Sequence, residues 1–259
     1  MREEQVLSVL GQEIYAIRVE GTNASDAPLV LLHEGLGCVG MWHDFPEALS
    51  QATGRTVWAW DRWGYGKSSP LTRWDANSEY PLYEAETMLP AVLDTLGLEQ
   101  AYFFGHSDGG TIALLFGALF PERTTGILAE SCHVYVDDLT IKGIADAEVS
   151  FERGLFQEKL ARYHGPNTEK AFRRWADTWL SSDHRSWDIT ETIKAVTAPT
   201  LVIQGDADQY GSWGQVEAIC QSISGSVALK VEACRHVPHH EKREEVVAAT
   251  VVFLEEAVA

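Results

Sequence analysis

The stretch Gly105-His106-Ser107-Asp108-Gly109, continued by Gly110, constrains this chain more than any other. It follows Ala101-Tyr102-Phe103-Phe104, an apolar run of strand type, and precedes residues 111–120, an apolar run rich in helix formers. Strand, sharp turn, helix is the setting in which a G-x-S-x-G pattern has chemical meaning. A serine on that turn has a strained backbone and holds its hydroxyl clear of the sheet. The flanking glycines are needed because a side chain there would collide with the neighbouring strand and helix. The helix that begins beside Ser107 aims its first N–H groups at the place where negative charge would develop. The competing explanation is a glycine-rich turn in which Ser107 only caps a helix.

The rest of the pattern supplies the sheet such a turn requires. Residues 5–19 hold two short runs split at Gly11-Gln12, the signature of an antiparallel hairpin. A continuous apolar strand of the fully buried kind is expected at 29–32 and a short buried one at 126–129, with further strands at 56–60, 101–104, 199–204 and 227–231. Helices are expected over 41–52, 83–96 (stopped by Gly97), 111–120 (ended by Pro121) and 242–256. Alternating strands and helices mean an α/β fold with a mostly parallel sheet covered on both faces. Residues 133–188 break the alternation. Strand signals vanish there, and the segment reads as helices carrying Phe151, Phe156, Phe172, Trp175, Trp179 and Trp187. It is too long for a plain connection, so a helical cap is expected at 133–188, inserted into a core of 1–132 and 189–259.

A chain of 259 residues, 45% of them hydrophobic, can close one large core of this kind. Its net charge of −18 makes nucleic acid and anionic membrane surfaces poor partners. No apolar run approaches a membrane span, and none follows a basic start, so a cytoplasmic chain is expected. Cys38, Cys132, Cys220 and Cys234 lie far apart without C-x-x-C spacing and read as reduced thiols.

Serine needs a base to take its proton, and the base needs an orienting acid. On a sheet of this type they gather in loops at the C-terminal strand ends. After the 199–204 strand comes Gly205-Asp206-Ala207-Asp208; after the 227–231 strand comes Cys234-Arg235-His236. The order Ser, Asp, His makes Ser107, Asp208 and His236 the candidate triad. Asp206 and Glu130 are the weaker candidates for the acid. His33, His43, His106 and His133 make no metal-type pair with a carboxylate, so no metal is expected. Hydrogen-bonding support of the site is the reading for His33 and His106, and surface or cap positions for His43 and His133. His239 and His240 read as residues at a helix start. The serine turn lacks the Gly-Lys-Ser/Thr ending of a phosphate loop.

These motifs together resemble the α/β-hydrolases from end to end. The matching features are His33-Glu34-Gly35-Leu36-Gly37, Asp61-Arg62-x-Gly64-x-Gly66-x-Ser68, the Ser107 turn, Gly205-x-x-Asp208 and His236. The resemblance implies the last residue of G-x-x-D as the acid, which is Asp208; some relatives draw it from the preceding strand end, where Glu130 stands. The family histidine usually follows a glycine, and here Arg235 replaces it. The oxyanion donors it implies are the N–H of Asp108 and one from the His33 loop. Glu34 is an added residue there, so the second donor is Leu36, with Gly35 as the alternative.

The activity implied is that of a cofactor-free serine hydrolase, carboxylesterase-like, cleaving small carboxylic esters through an acyl-enzyme. C–C bond hydrolases, thioesterases and lactonases share the triad. Dehalogenases and epoxide hydrolases of the fold usually carry an aspartate where Ser107 stands. A non-catalytic ligand-binding protein is the remote alternative. Phe172, Trp175 and Trp179 are expected at the substrate pocket, and the partners are a small acyl ester and at most a second copy of the chain, as monomer or homodimer.

Overall fold

The computed structural model describes residues 2–23, 26–72 and 79–257. Strands β1 (Arg2–Val9) and β2 (Gln12–Val19) form the expected hairpin, turned through Leu10 and Gly11, both at positive φ. They continue into β3 (Leu29–Leu32), β4 (Val57–Trp60), β5 (Ala101–His106), β6 (Thr124–Glu130), β7 (Thr200–Gly205) and β8 (Val227–Val231). The eight strands make one sheet in the order β1-β2-β4-β3-β5-β6-β7-β8. Only the β1–β2 and β2–β4 pairings are antiparallel.

The continuous apolar runs of β3, β4, β5 and β7 follow from burial on both faces. Val30, Phe103, Ile127 and Val202 point to one side, against α3 (Leu89–Leu96), α4 (Asp108–Leu119) and α8 (Trp213–Ser222). Leu31, Phe104, Leu128 and Ile203 point to the other, against α1 (Phe45–Thr53) and α10 (Arg243–Glu256).

Three local differences from the sequence expectation have physical causes. The helix expected from Met41 starts at Phe45, because Pro46 sits best in a first turn, and residues 39–42 form a separate 3-10 turn. The helix expected from Tyr83 begins earlier, as α2 (Tyr80–Tyr83), and reaches α3 through a π turn over Glu84–Met88. That turn absorbs Pro90, which has no N–H to continue the α ladder. Helix α8 was not foreseen, although two adjacent parallel strands require a crossover of this kind.

Between β6 and β7 the chain builds α5 (Asp138–Glu152), α6 (Leu155–His164) and α7 (Thr168–Leu180). Asp137 caps α5 by accepting the Thr140 N–H at 2.8 Å. These helices have a core of their own, with Ile144, Phe151, Leu160, Phe172 and Trp179, joined by Leu36 from the main body. A bridge between Tyr135 and Asp188 closes the neck of the insertion. Its underside docks on the glycine-punctuated Asp61–Ser68 loop and on the helix after it. Asn167 donates to the Ser68 carbonyl at 2.9 Å, His164 accepts the Gly66 N–H at 3.0 Å, and Arg174 pairs with buried Glu84 at 2.9 Å. One short helix, α9 (Pro238–Glu241), precedes α10, and among the described residues no helix is long and apolar enough to cross a membrane.

Candidate active site

Ser107 sits at φ 52°, ψ −118° between β5 and α4. A non-glycine residue there carries strain of about 1–3 kcal/mol and persists only if the surroundings over-determine it. They do so here. The Ser107 N–H donates to the Glu130 carbonyl at 2.8 Å, tying the turn to β6. The Ser107 carbonyl accepts from Gly110 and Thr111 N–H at 2.9 and 3.1 Å. A Cβ on Gly105 would overlap the Gly109 carbonyl, and one on Gly109 would overlap that of Leu32, so both glycines are required by close backbone approach.

Of the three acids considered, the structure brings Asp208 to His236. His236 Nδ1 lies 2.9 Å from both Asp208 carboxylate oxygens. Burial alone would raise the Asp208 carboxyl; the His236 charge and hydrogen bond, with the Tyr210 N–H, hold it below its usual value. Asp206 is exposed and accepts the Cys234 N–H at 3.3 Å, which shapes the turn without reaching the imidazole. Glu130 is fully buried and is taken by His239, which gives it both its N–H, at 2.8 Å, and its ring Nδ1. Arg235 fits where the related pattern has glycine. The positive φ of this turn falls on Ala233, and the Arg235 side chain turns outward to Glu241.

The His33 loop is held from three sides. The Gly37 N–H closes a turn on the Glu34 carbonyl at 3.0 Å, which leaves the N–H groups of Gly35 and Leu36, its central residues, outside that bond. His33 donates through Nδ1 to the same carbonyl at 2.8 Å and accepts the Arg62 N–H on Nε2 at 3.1 Å. It is therefore neutral in one tautomer, and burial with the nearby Arg62 charge holds its pKa well below the usual value. His164, on α6, donates to the Leu36 carbonyl at 2.9 Å. On the other side of the nucleophile, the Asp108 carboxylate accepts the Tyr80 hydroxyl, whose oxygen accepts Trp179 Nε1–H at 3.3 Å. A helix of the insertion is thus linked through one tyrosine to the residue after the serine. His164 and Tyr80 carry no motif, and only their contacts reveal them.

His106 supports the site through the backbone. Its Nε2 donates to the His236 carbonyl at 2.8 Å, and its Nδ1 faces the Glu34 carboxylate at 3.5 Å, an ion-pair separation. Nδ1 has no hydrogen-bond partner among the described residues, so the Glu34 carboxylate acts on the ring through its charge. Burial opposes a protonated ring, but Glu34 and Glu130 outweigh it and push the pKa up to about 9. A group whose folded pKa is raised stabilises fully below its unfolded value, about 6.5, and loses that contribution as pH climbs through about 9. Chemical denaturation is therefore expected to show a loss of up to a few kcal/mol between pH 6.5 and 9.5. The His106→Gln variant, which keeps a donor for the His236 carbonyl, should lack most of that slope; an equal slope in both proteins would refute the assignment. The donor atoms of His106, Glu130 and His239 lie within 4.8 Å of one another. Glu130 and His239 are already spent on each other and His106 on the His236 carbonyl, so the trio is a buried charge network.

Ser107, Asp108 and His236 face one cavity of about 250 Å³. Leu36, Met41, Ile144, Phe156, Leu160, Trp175, Trp179 and Val237 give it a mainly apolar wall. Two of the three aromatics expected at the pocket, Trp175 and Trp179, line it. Phe172 does not: it is fully buried behind the wall, stacked on Phe151 at 3.7 Å. His133, expected at the surface or in the cap, is buried at the cavity wall, whereas His43 is exposed as expected. His239, read as a helix-start residue, is that and also the partner of Glu130. All four cysteines are free, and burial pushes the Cys38 and Cys132 thiols up to about 12, which leaves them unreactive near neutrality.

Comparison with known proteins agrees with this architecture. Residues 27–132 match the family model described as the alpha/beta hydrolase fold. A proline iminopeptidase of Thermoplasma volcanium is 23% identical over 99% of this chain and 98% of its own length. The 3-oxoadipate enol-lactonase 1 of Acinetobacter baylyi is 24% identical, over 80% of this chain and 82% of its own. The crystal structure of the enol-lactonase from Burkholderia xenovorans LB400 superposes with a TM-score of 0.76 at 18% identity, covering 97% of this chain and 100% of that one. With the eight-stranded sheet, the serine turn after β5 and these similarities along its length, the chain has the α/β-hydrolase fold.

Proposed function

We propose that this protein is a serine hydrolase of small carboxylic esters that works through an acyl-enzyme and takes no cofactor. The observation that carries the reading is the convergence of Ser107, on its strained turn, and His236, oriented by Asp208, on one mainly apolar cavity. Because Nδ1 of His236 faces a carboxylate, that nitrogen carries the proton and Nε2 is left as the base. Ser107 Oγ attacks the ester carbonyl while His236 Nε2 takes its proton. The developing oxyanion lies against the N–H of Asp108 and that of Leu36 or Gly35. His236 then protonates the leaving alcohol, and a water activated by the same nitrogen releases the acid and restores Ser107. The relatives act on varied bonds, as their names (iminopeptidase, enol-lactonase) state, so bond type is what a substrate panel must decide. Matched oxoester, thioester, lactone and amide substrates of one small acyl group should be cleaved with the oxoester ahead; no turnover of any ester would refute the reading.

In this reading residues 133–188 act as a cap that selects the acyl group. An apolar wall discriminates by about 1–3 kcal/mol per methylene-sized change, whereas the triad acts on every ester alike. Trp175→Ala and Trp179→Ala should therefore reorder kcat/KM across acetate, butyrate, hexanoate and benzoate esters. A uniform decrease with an unchanged ranking, accompanied by a lower Tm, would make both tryptophans scaffold only.

A further inference from the structure

The loop that carries the acid of the triad is tied to the insertion through one carboxylate. Residues 206–212 join β7 to α8, and within them Asp208 Oδ1 accepts the N–H groups of Tyr210 and Gly211 at 2.8 and 3.2 Å. The same oxygen lies 2.9 Å from His236 Nδ1, so the backbone at 210–211 sets where the acid stands. Asp137, at the neck of the insertion, holds the end of this loop. Its Oδ1 caps α5 by accepting the Thr140 N–H. Its Oδ2 accepts the Ser212 hydroxyl at 2.9 Å, the Ser212 N–H at 3.3 Å and a Gln215 Nε2–H at 3.2 Å. Thr140 lies with its hydroxyl 2.9 Å from Asp137 Oδ1 and 2.8 Å from the Tyr210 carbonyl. Burial alone would raise the Asp137 carboxyl; donors from Thr140, Ser212 and Gln215 hold it below its usual value, so it is charged near neutrality. His133 and Gln204 also hold the loop, by the Tyr210 and Gly211 carbonyls at 3.0 and 2.7 Å. Asp137 adds the charged hold, and hydrogen bonds to a charged group are the strong ones in such a network.

We propose that Asp137 is a positioning residue for the triad: by joining the first helix of the insertion to the end of the acid loop, it keeps the 210–211 N–H groups aimed at Asp208, and Asp208 aimed at His236. The proposal deepens the serine-hydrolase reading and rests on it. Asp137 is not among the residues that line the cavity, so its effect on the chemistry passes through Asp208. A displacement of about 1 Å that originates far from the reacting atoms can cost about a hundredfold in rate. Thr140 does line the cavity, so a loosened α5 would be felt in substrate binding, as a change in KM. A misplaced acid is felt in kcat, because it no longer stabilises the imidazolium that forms as Ser107 attacks.

The test separates positioning from capping. Serine caps a helix as well as aspartate does, but its single oxygen offers no second acceptor to Ser212 and Gln215. Asp137→Ser therefore keeps α5 capped and releases the acid loop; Ser212→Ala removes one donor from the same carboxylate and leaves the cap untouched. Two readouts are taken on each: kcat and KM with a p-nitrophenyl ester, and the downfield ¹H NMR signal of the His236 Nδ1 proton, identified by its loss in His236→Gln. Asp137→Ser is expected to lower kcat by about ten- to a hundredfold with little change in KM, and to broaden or abolish the His236 signal through faster exchange. Ser212→Ala should move both in the same direction by less. A folded Asp137→Ser protein with kcat near that of the unaltered protein, or with a lowered kcat and an unmoved His236 signal, overturns the proposal. Should Asp137→Ser not fold, Ser212→Ala decides alone: a loss of kcat with a broadened signal supports the proposal, and unchanged values overturn it. If the unaltered protein cleaves no ester, the serine-hydrolase reading fails, and the Asp137 proposal stands or falls on the His236 signal.

Discussion

Replacing Ser107 by alanine is expected to lower ester turnover at least about a thousandfold while leaving the melting temperature nearly unchanged. The two halves of this expectation have separate causes. The hydroxyl is the only atom removed, so acylation is lost and what remains is the modest acceleration from binding and the oxyanion donors. Stability is spared because the backbone at φ 52° is held by bonds to Glu130, Gly110 and Thr111 that do not involve the side chain, and alanine bears the same strain as serine. Steady-state kinetics with a p-nitrophenyl ester and a thermal melt check it together. Near-full activity of a folded Ser107→Ala protein would remove Ser107 from the chemistry.

A second large effect is expected from the acids, and its value lies in the order. Asp208→Asn should cost on the order of 10⁴ in kcat, because an amide offers His236 Nδ1 a donor as readily as an acceptor and stabilises neither the base tautomer nor the imidazolium. Asp206→Asn should cost little, since that side chain is exposed and makes one long bond to the Cys234 N–H. Glu130→Gln should act on stability: it removes one partner of a buried pair with His239, a change that costs about 3–5 kcal/mol in comparable pairs. Kinetics and denaturation on all three variants check the order. A greater kinetic loss for Asp206→Asn, or for a well-folded Glu130→Gln, would move the acid's role away from Asp208.

The parts of this fold that could be read in the sequence are those that depend on neighbours in the chain. The buried strands announce themselves as unbroken apolar runs because both faces are covered, and the Ser107 turn because only glycine tolerates the approach of Leu32 and Gly109 backbone. Asp208 and His236 were legible because strand ends converge. What was not legible depends on contacts between residues far apart. His164 lies 128 positions from the Leu36 carbonyl it holds, and Tyr80 lies 28 from Asp108. His133 opens the 133–188 segment as expected, but its place in the cavity lining was not legible, because a histidine's neighbours in sequence do not say which way its ring turns. Phe172 was expected at the pocket because an aromatic on a cap helix has two sides to face; stacking against Phe151 placed it inward. Helix α8 was missed because Trp213–Ser222 has weak helical patterning, and only the parallel pairing of β7 with β8 demands it.

The central claim is that an acyl group passes through Ser107, and trapping that intermediate tests it most directly. Protein mixed with a slowly released ester such as a p-nitrophenyl benzoate, quenched in acid within the first turnovers, should show the benzoyl mass on intact protein, localised after digestion to the peptide containing Ser107. The same quench on Ser107→Ala should show none. Turnover that proceeds with no covalent adduct, or with the acyl group on any other residue, would contradict the account.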